Sequence, residues 1–183
     1  MKNKKRIEDL LEVKIDEDKR IVIEVQVLDD SNFLSPYCSN YYIANDEVIS
    51  YLNNRVKNLN VKAPLRIIIN SNVIDEDEKM IYTKAIKNYY LNEKKQLMSD
   101  LFNNMIISLI MFGIGLIIIS IMIFMSLQEL KELWTTVFDI VGWVFVWEAV
   151  DKFFFERRKL KRDFLRAEQF INADFVYKDN TIL

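Results

Sequence analysis

Carboxylates inside an otherwise apolar stretch are the residues of this chain most suited to chemistry. Asp139, Glu148 and Asp151 stand among aliphatic and aromatic neighbours. An ionisable side chain in hydrocarbon costs about 2.5–3.5 kcal/mol on insertion scales, so such residues usually face protein or water. Thr135 and Thr136 share a polar side of the helix with Asp139. The sequence therefore predicts pore-lining or intramembrane polar roles for these five residues.

Two interpretations of these acids are open. At about 100° per residue, Asp139 and Glu148 lie on opposite sides of a helix and cannot form one acidic stripe. In the first interpretation each acid reaches an interface, and Glu148 pairs with Lys152 one turn further on. In the second, several copies surround an axis and one acid forms a ring in a cation-permeable pore. A hairpin of two helices encloses no conduit, so a pore requires an oligomer.

Most enzyme chemistry is excluded by composition. The chain has no His and a single Cys, Cys38, which excludes Cys/His zinc sites, Ser-His or Cys-His nucleophiles and an internal disulfide. With only three glycines, it carries no glycine-rich phosphate-binding loop. Lys and Arg total 25 against 27 acids, so bulk charge indicates no nucleic-acid partner. We expect no enzyme, no cofactor and no metal.

Two long apolar segments carry the candidate residues. Met105–Met125 contains no charged side chain, and at about 1.5 Å per residue it spans roughly 30 Å, the thickness of a hydrocarbon core. A second apolar segment follows after a short connection. We predict transmembrane helices at residues 101–126 and 133–155, joined by an external loop at 127–132. Together they form an antiparallel hairpin in contact with membrane lipid.

The distribution of basic residues predicts the orientation. The loop contains Lys131 alone, whereas a run of basic residues beginning with Lys152, Arg157 and Arg158 follows the second helix. Positive residues stay on the cytoplasmic side of a membrane. Both termini are therefore predicted to be cytosolic, in a multi-pass protein of the bacterial inner (cytoplasmic) membrane.

The residues before the first span, 1–100, predict a small cytosolic α+β domain in the order ββαβα. Leu11–Asp16 and Arg20–Leu28 are rich in alternating or β-branched residues and predict a β-hairpin. Asn45 or Asp46 is suited to cap the following helix, because a short polar side chain accepts from free backbone N–H groups. Residues 64–70 predict a third strand.

The last helix of this domain is predicted to continue into the first span. Four consecutive acids, residues 75–78, stand at its start, where negative charge complements the helix dipole; a cation site is the alternative. No Pro or Gly occurs between Asp75 and Phe112. A continuous helix would transmit movement of the domain to the membrane.

Small residues within the first span allow another helix to approach closely. Ser108 and Gly115 are seven residues apart, and so are Gly113 and Ser120. The pattern favours close helix packing without selecting either pair.

Residues 156–183 predict a basic cytosolic helix and tail. Apolar residues recur there at spacings of seven, four, three and four, which is typical of a short coiled-coil seam between copies. The seam residues are Phe153, Leu160, Phe164, Ala167 and Ile171. Packing of this stripe on the chain's own domain is the alternative. Residues 173–179 either add an edge strand or remain a tail.

Basic residues in the first domain are candidates for binding an anionic ligand. Arg55, Lys57, Lys62 and Arg66 cluster around the end of the first helix and the third strand. Phosphates are attracted to such a set electrostatically. The alternative is a solvated basic edge.

One stretch of the chain resembles a known sequence pattern. Gly142–Arg162, "GWVFVWEAVDKFFFERRKLKR", resembles a motif of small bacterial membrane proteins. The whole arrangement is similar to the small membrane effectors of bacterial anti-phage systems, of which the Hailong membrane effector is the nearest analogue. This resemblance implies an oligomeric membrane part that permeabilises the inner membrane. It also implies a soluble domain that senses a nucleotide or DNA oligomer from a partner nucleotidyltransferase.

These expectations combine in one functional hypothesis and one alternative. The hypothesis is a homo-oligomeric inner-membrane ion channel or pore-forming effector of anti-phage defence, gated by its cytosolic sensor domain. The alternative is a membrane-anchored adaptor whose hairpin is only a tether. An unrelated hairpin could replace the two spans in an adaptor, but not in a channel.

Overall fold

The computed structural model describes residues 14–16, 18, 20–37, 41–128 and 132–179. The start of the predicted first strand, Cys38 and Lys131 lie outside these residues. The strands are β1 (Lys14–Ile15), β2 (Ile21–Gln26), β3 (Leu65–Asn70) and β4 (Asp174–Lys178). The helices are α1 (Asp46–Val56), α2 (Glu76–Leu127), α3 (Glu132–Val150) and α4 (Arg157–Ile171), and a π-helical segment, Asp151–Glu156, joins α3 to α4.

The chain divides into two compact units. The sheet unit comprises the described residues up to Lys94 and those from Leu165 onward, and the hairpin unit comprises Lys95–Phe164. The hairpin unit is therefore inserted between β3 and β4. The polypeptide enters it along α2 and returns along α4.

The sheet has the strand order β1-β2-β3-β4. β1 and β2 are antiparallel, which confirms the predicted β-hairpin, while β2, β3 and β4 are mutually parallel. Strands of parallel sheets read as nearly continuous apolar runs because helices cover them, and β3 fits this rule. Ile21, Ile23, Ile67 and Ile69 fill the buried side. Of the two alternatives for residues 173–179, the edge strand is confirmed, because β4 pairs with β3 at the edge of the sheet.

Helix α1 follows the predicted capping chemistry. The Asn45 side chain accepts a hydrogen bond from the Glu47 backbone N–H at 3.4 Å, and this satisfies one free donor of the first turn. Ile49, Leu52 and Val56 form its buried stripe. The helix ends at Val56.

Helix α2 is one uninterrupted helix of 52 residues, so the last helix of the domain continues into the first apolar segment as predicted, and it also continues through Gly113 and Gly115. The acids at the start of α2 bond to groups of the same segment. Glu78 accepts a hydrogen bond from the Asp75 backbone N–H at 2.8 Å, and Lys79 forms a salt bridge with Glu76 at 2.7 Å. Within the described residues, no group of three His, Cys, Asp or Glu side chains could hold a metal ion.

Helices α2 and α4 contact each other inside the sheet unit. The rings of Tyr90 and Phe170 stack with centroids 4.1 Å apart and planes 4° from parallel. Lys94 Nζ lies 3.0 Å from Glu168 Oε1 one turn along. The Tyr90 hydroxyl also donates to Asn53 Oδ1 of α1 at 3.0 Å. We call Tyr90, Lys94, Glu168 and Phe170 the helix clamp.

Buried tyrosines predict alkaline unfolding of the sheet unit. Burial raises the pKa of Tyr82 and of Tyr90 above the usual 10.0, and the Tyr82 hydroxyl also donates to Asp30. The fold therefore favours the neutral phenol: its stability is complete below pH 10 and falls as pH rises further, by about 1.4 kcal/mol per pH unit for each linked proton.

Denaturant unfolding across the alkaline range would measure this slope. Tyr90→Phe removes one linked proton and is therefore expected to reduce the slope of unfolding free energy against pH. Tyr37→Phe is the control, because Tyr37 is 95% exposed, and it should leave the slope unchanged. Equal slopes in wild type and Tyr90→Phe would contradict the linkage.

Candidate functional site

Two helical stretches are long and apolar enough to cross a membrane. They are α2, with 52 residues, and the continuous helical stretch Leu133–Ile171, with 39. Only 11% of the most apolar window of each is buried inside the protein, whereas the core helix of a soluble protein is mostly buried. An apolar surface of this extent marks a membrane or protein contact.

The two helices of the hairpin unit approach each other closely at a pair of glycines. A Cβ added to Gly115 would lie 2.9 Å from Val146 Cγ2 and 3.2 Å from the Gly142 carbonyl oxygen. A Cβ added to Gly142 would lie 2.7 Å from Ile119 Cγ1. We call Gly115 and Gly142 the glycine contact. Their missing side chains allow the antiparallel helices to pack at this distance.

Of the two predicted pairs of small residues, Ser108 and Gly115 lie where α2 packs against α3. The Ser108 hydroxyl, which is buried, donates to the Ala149 carbonyl at 2.9 Å, and Gly115 belongs to the glycine contact. A Cβ added to Gly113 would have no other atom within 4 Å. Ser120 is exposed and donates to the Leu116 carbonyl of its own helix at 2.7 Å.

The predicted intramembrane polar residues all lie on α3 or directly after it. Thr135 and Asp139 are half-buried, whereas Thr136, Glu148 and Asp151 are exposed. The five are thus spread along the helical surface, and their assignment to a pore stays a prediction.

The predicted pair of Glu148 and Lys152 is present and extends to a third residue. Lys152 Nζ lies 3.3 Å from Glu148 Oε1 and 3.4 Å from Glu156 Oε1. Asn104 of α2 donates from Nδ2 to the other oxygen of Glu156 at 2.8 Å. We call Asn104, Glu148, Lys152 and Glu156 the polar cluster. Its formal charge is −1, and it links α2 to the π-helical segment.

Asn104 was not identified from the sequence, although it lies four residues before Ser108 on the same side of α2. Its side chain is buried, and Asn104 Oδ1 has no hydrogen-bond partner among the described residues. An unsatisfied buried acceptor costs about 1–3 kcal/mol, and such groups are few in native structures. The neighbouring π-helical segment is a second unusual feature, and single-turn π-bulges are frequent at functional sites.

The candidate anion-binding residues have different surroundings. Arg66 Nε donates to Asp174 Oδ2 at 2.9 Å, and the guanidinium also bonds Asp16 and lies 3.6 Å from Asp18. The hydrogen bond with Asp174 is the main cause that raises the pKa of Arg66. Arg20 donates to the same Asp174 oxygen at 2.8 Å. Two guanidinium groups therefore meet three carboxylates, which makes Arg66 a poor attractant for an anion.

The other three basic residues lie at the end of α1 and in the loop that follows. Arg55 Nε donates to the Tyr51 hydroxyl at 3.1 Å. The Lys57 carbonyl accepts from Arg166 at 3.4 Å, and the Lys62 backbone N–H donates to Asn60 Oδ1 at 3.0 Å. Their role in ligand binding stays a prediction.

The residues of the predicted seam are divided between surface and interior. Ala167 is 1% exposed and lies inside the sheet unit. It therefore packs on the chain's own domain, which was the alternative to a seam between copies. Leu160, Phe164 and Ile171 are half-buried, and Phe153 is exposed. Phe170, which the seam pattern omits, is fully buried against Tyr90.

Comparison of this chain with protein-family models, curated proteins and solved structures finds no match. Its function is therefore inferred from its own residues and their geometry.

Two polar side chains of α4 secure this helix to the loop after α1. Arg166 donates to the Leu59 carbonyl at 3.1 Å, and Gln169 donates to the carbonyls of Asn60 and Ala63 at 3.1 and 2.6 Å. These bonds satisfy backbone acceptors beyond the C-terminus of α1, which have no intrahelical partner. A displacement of that loop would act directly on α4.

Proposed function

We propose that this protein is a homo-oligomeric channel or pore-forming effector of the bacterial inner membrane, in which the sheet unit gates the hairpin unit. The observation that carries the proposal is the insertion of the hairpin unit between β3 and β4. Both helices that leave the sheet unit, α2 and α4, are anchored in its core through the helix clamp. A change of the sheet unit on ligand binding would therefore act on both helices together.

The proposed topology has both helices of the hairpin crossing the membrane and the sheet unit in the cytosol. The exposed apolar surfaces of α2 and α3 support membrane insertion. The basic residues after α3 support a cytosolic position for α4. Since α2 and α4 both belong partly to the sheet unit, one side of the membrane holds that unit and both termini.

The proposal of an oligomer follows from the acids of α3. Glu148 is exposed and Asp139 half-buried, on a helix whose remaining surface is largely apolar. In a membrane such carboxylates are more stable against protein or water than against lipid. Two helices enclose no water-filled path, so several copies together would provide it.

Asp139 provides the direct test of ion conduction. In liposomes that contain the purified oligomer, Asp139→Asn is expected to lower the cation-to-anion permeability ratio severalfold, because it removes a ring of negative charge from the path. Asp163→Asn is the matched control, as the same chemical change in α4 outside the apolar span. The ratio is measured from the reversal potential in a salt gradient.

An oligomer that passes no ions under any ligand condition would contradict the channel. An equal effect of Asp139→Asn and Asp163→Asn would exclude Asp139 from the path without excluding the channel. Glu148→Gln tests the second candidate acid in the same assay.

We further propose that the gating ligand is a nucleotide or DNA oligomer made by a partner nucleotidyltransferase, as the resemblance to anti-phage effectors implies. Arg55, Lys57 and Lys62 remain the basic residues for such a ligand, since Arg66 is engaged by acids. Ion flux that responds to added oligonucleotides, and loses the response in Arg55→Gln/Lys62→Gln, would support this ligand class. A nucleotidyltransferase gene beside this one would support it independently.

The alternative function is a membrane-anchored adaptor. The glycine contact favours it, because a tightly packed helix pair is sufficient as an anchor. Replacement of residues 105–155 by an unrelated two-span hairpin would preserve the activity of an adaptor and abolish that of a channel.

A further inference from the structure

An open groove of about 700 Å³ lies on the surface of the hairpin unit where α3, the π-helical segment and α4 meet. We call it the juxtamembrane groove. Its apolar part is formed by Trp147, Val150 and the three consecutive phenylalanines, and its basic part by Arg157, Arg158 and Lys161.

The groove follows one face of a continuous helical stretch. Trp147, Val150, Phe154, Arg158 and Lys161 are separated by three or four residues, the spacing that brings side chains onto one face. The face is apolar before the π-helical segment ends and basic after it. The change from hydrocarbon to positive charge thus occurs at one level along the helix axis.

The aromatic side chains of the groove project from the protein surface. Trp147 is 66% exposed, Phe154 61% and Phe155 68%. Tryptophan is enriched where a helix passes from the hydrocarbon core to the headgroup region, which fits the position of Trp147. The polar cluster marks the same level on the adjoining helix surface.

The charges of the groove are of one sign. Among the described residues no carboxylate lines it. Of the acids nearest in sequence, Glu148 and Glu156 are engaged by Lys152, and Asp151 is exposed but does not line the groove. Arg157 lies with its guanidinium 5.2 Å from the centre of the Phe153 ring, a cation–π contact that holds this charge against the apolar wall. The groove therefore presents fixed positive charge beside exposed hydrocarbon.

We propose that the juxtamembrane groove binds one anionic phospholipid. Its phosphate is held by Arg158 and Lys161, with Arg157 beside them, and its acyl chains run along Trp147 and Phe154. Arginine and lysine near a membrane surface attract anionic lipids, and a guanidinium bonds phosphate through two parallel N–H groups. The inference rests on the proposal that the hairpin crosses a membrane, and it goes beyond it by assigning a specific lipid site.

A lipid fits this groove better than a second copy of the chain. A helix packed on the basic part would need acids opposite three cations. Of the three acids near this level, Glu148 and Glu156 contact Lys152, which leaves Asp151 against three positive charges. A phospholipid presents an anionic group and hydrocarbon in the order that the groove requires.

Lipid retention by the full-length protein tests the proposal with a charge-matched control. Wild type, Arg158→Gln/Lys161→Gln and Lys159→Gln/Arg162→Gln are each purified in mixed micelles of phosphatidylglycerol and phosphatidylcholine. Each double variant loses one arginine and one lysine from α4, but only the first pair lines the groove. Bound phosphatidylglycerol per protein chain is measured by native mass spectrometry.

The groove variant is expected to weaken phosphatidylglycerol binding about tenfold or more, and the control less than threefold. Equal losses in the two variants would show general attraction of lipid to a basic helix and overturn the specific site. Unchanged binding in the groove variant would overturn it as well. A change of oligomer size without loss of lipid would assign the groove to a contact between copies.

Ion flux in liposomes separates this result from the channel proposal. A protein that retains phosphatidylglycerol but conducts no ions would contradict the channel and support the lipid site. Undiminished flux from protein that binds no phosphatidylglycerol would contradict the lipid site alone.

Discussion

Replacing Gly115 with leucine is expected to force apart the two helices of the hairpin unit, whereas the same replacement at Gly113 leaves them in contact. A Cβ at Gly115 lies 2.9 Å from Val146 Cγ2 and 3.2 Å from two backbone atoms, the Gly142 oxygen and the Val146 nitrogen. Backbone cannot rotate away as a side chain can, so α3 must move. Overpacking of this kind typically costs about 1–3 kcal/mol.

Gly113 is a control of the same residue type on the same helix. A Cβ there meets no atom within 4 Å, and both substitutions bring the same intrinsic gain in helix propensity. The three tryptophans all belong to α3, so thermal unfolding followed by their fluorescence in detergent reports on the hairpin unit. We expect the midpoint of Gly115→Leu to lie several degrees below that of Gly113→Leu. Coincident midpoints would contradict the glycine contact.

The local features of the fold were predictable from the sequence. Asn45 as a cap, the strand at Leu65–Asn70 and the continuity of α2 each follow from residues adjacent in the chain. Capping depends on one side chain and the next few N–H groups, and residues 76–112 lack Pro and Gly, the two residue types that most disfavour a helix interior. These predictions needed no knowledge of tertiary contacts.

The pairing of β4 with β3 depends on distant residues and could not be predicted in this way. The whole hairpin unit separates these strands in sequence, and no local pattern specifies which edge of the sheet β4 joins. Asp174 therefore had no assigned role, although it binds Arg20 and Arg66. As a result, Arg66 was predicted from the sequence to be one of the residues that bind an anionic ligand.

Helical periodicity also left choices that only packing resolves. Ser108 with Gly115 and Gly113 with Ser120 are equivalent as patterns, yet only the first pair contacts α3. Ala167 fits the spacing of a coiled-coil seam, but burial within its own domain satisfies the same apolar spacing. An apolar stripe indicates that a helix face is covered without indicating by what.

Replacing Phe170 with alanine is expected to lower the free energy of unfolding of the sheet unit by about 3–5 kcal/mol. Phe170 is fully buried and stacks on Tyr90 of α2, so its removal leaves a cavity between the two helices. All eight tyrosines lie in the sequence of the sheet unit, and near-ultraviolet circular dichroism of tyrosine follows its unfolding in denaturant. Tyr37→Ala is the control, because Tyr37 is almost fully exposed and should change stability little.

The same clamp tests transmission between the proposed sensor and the membrane. A double-mutant cycle of Tyr90→Leu and Phe170→Leu should show coupling, because each change removes one ring of the stacked pair and contacting residues give non-additive effects. If α4 carries the gating movement, Phe170→Leu protein that remains folded should conduct ions with a weakened response to ligand. Folded Phe170→Leu protein whose flux and ligand response match wild type would exclude gating through this contact, and the adaptor would then explain the insertion of the hairpin better.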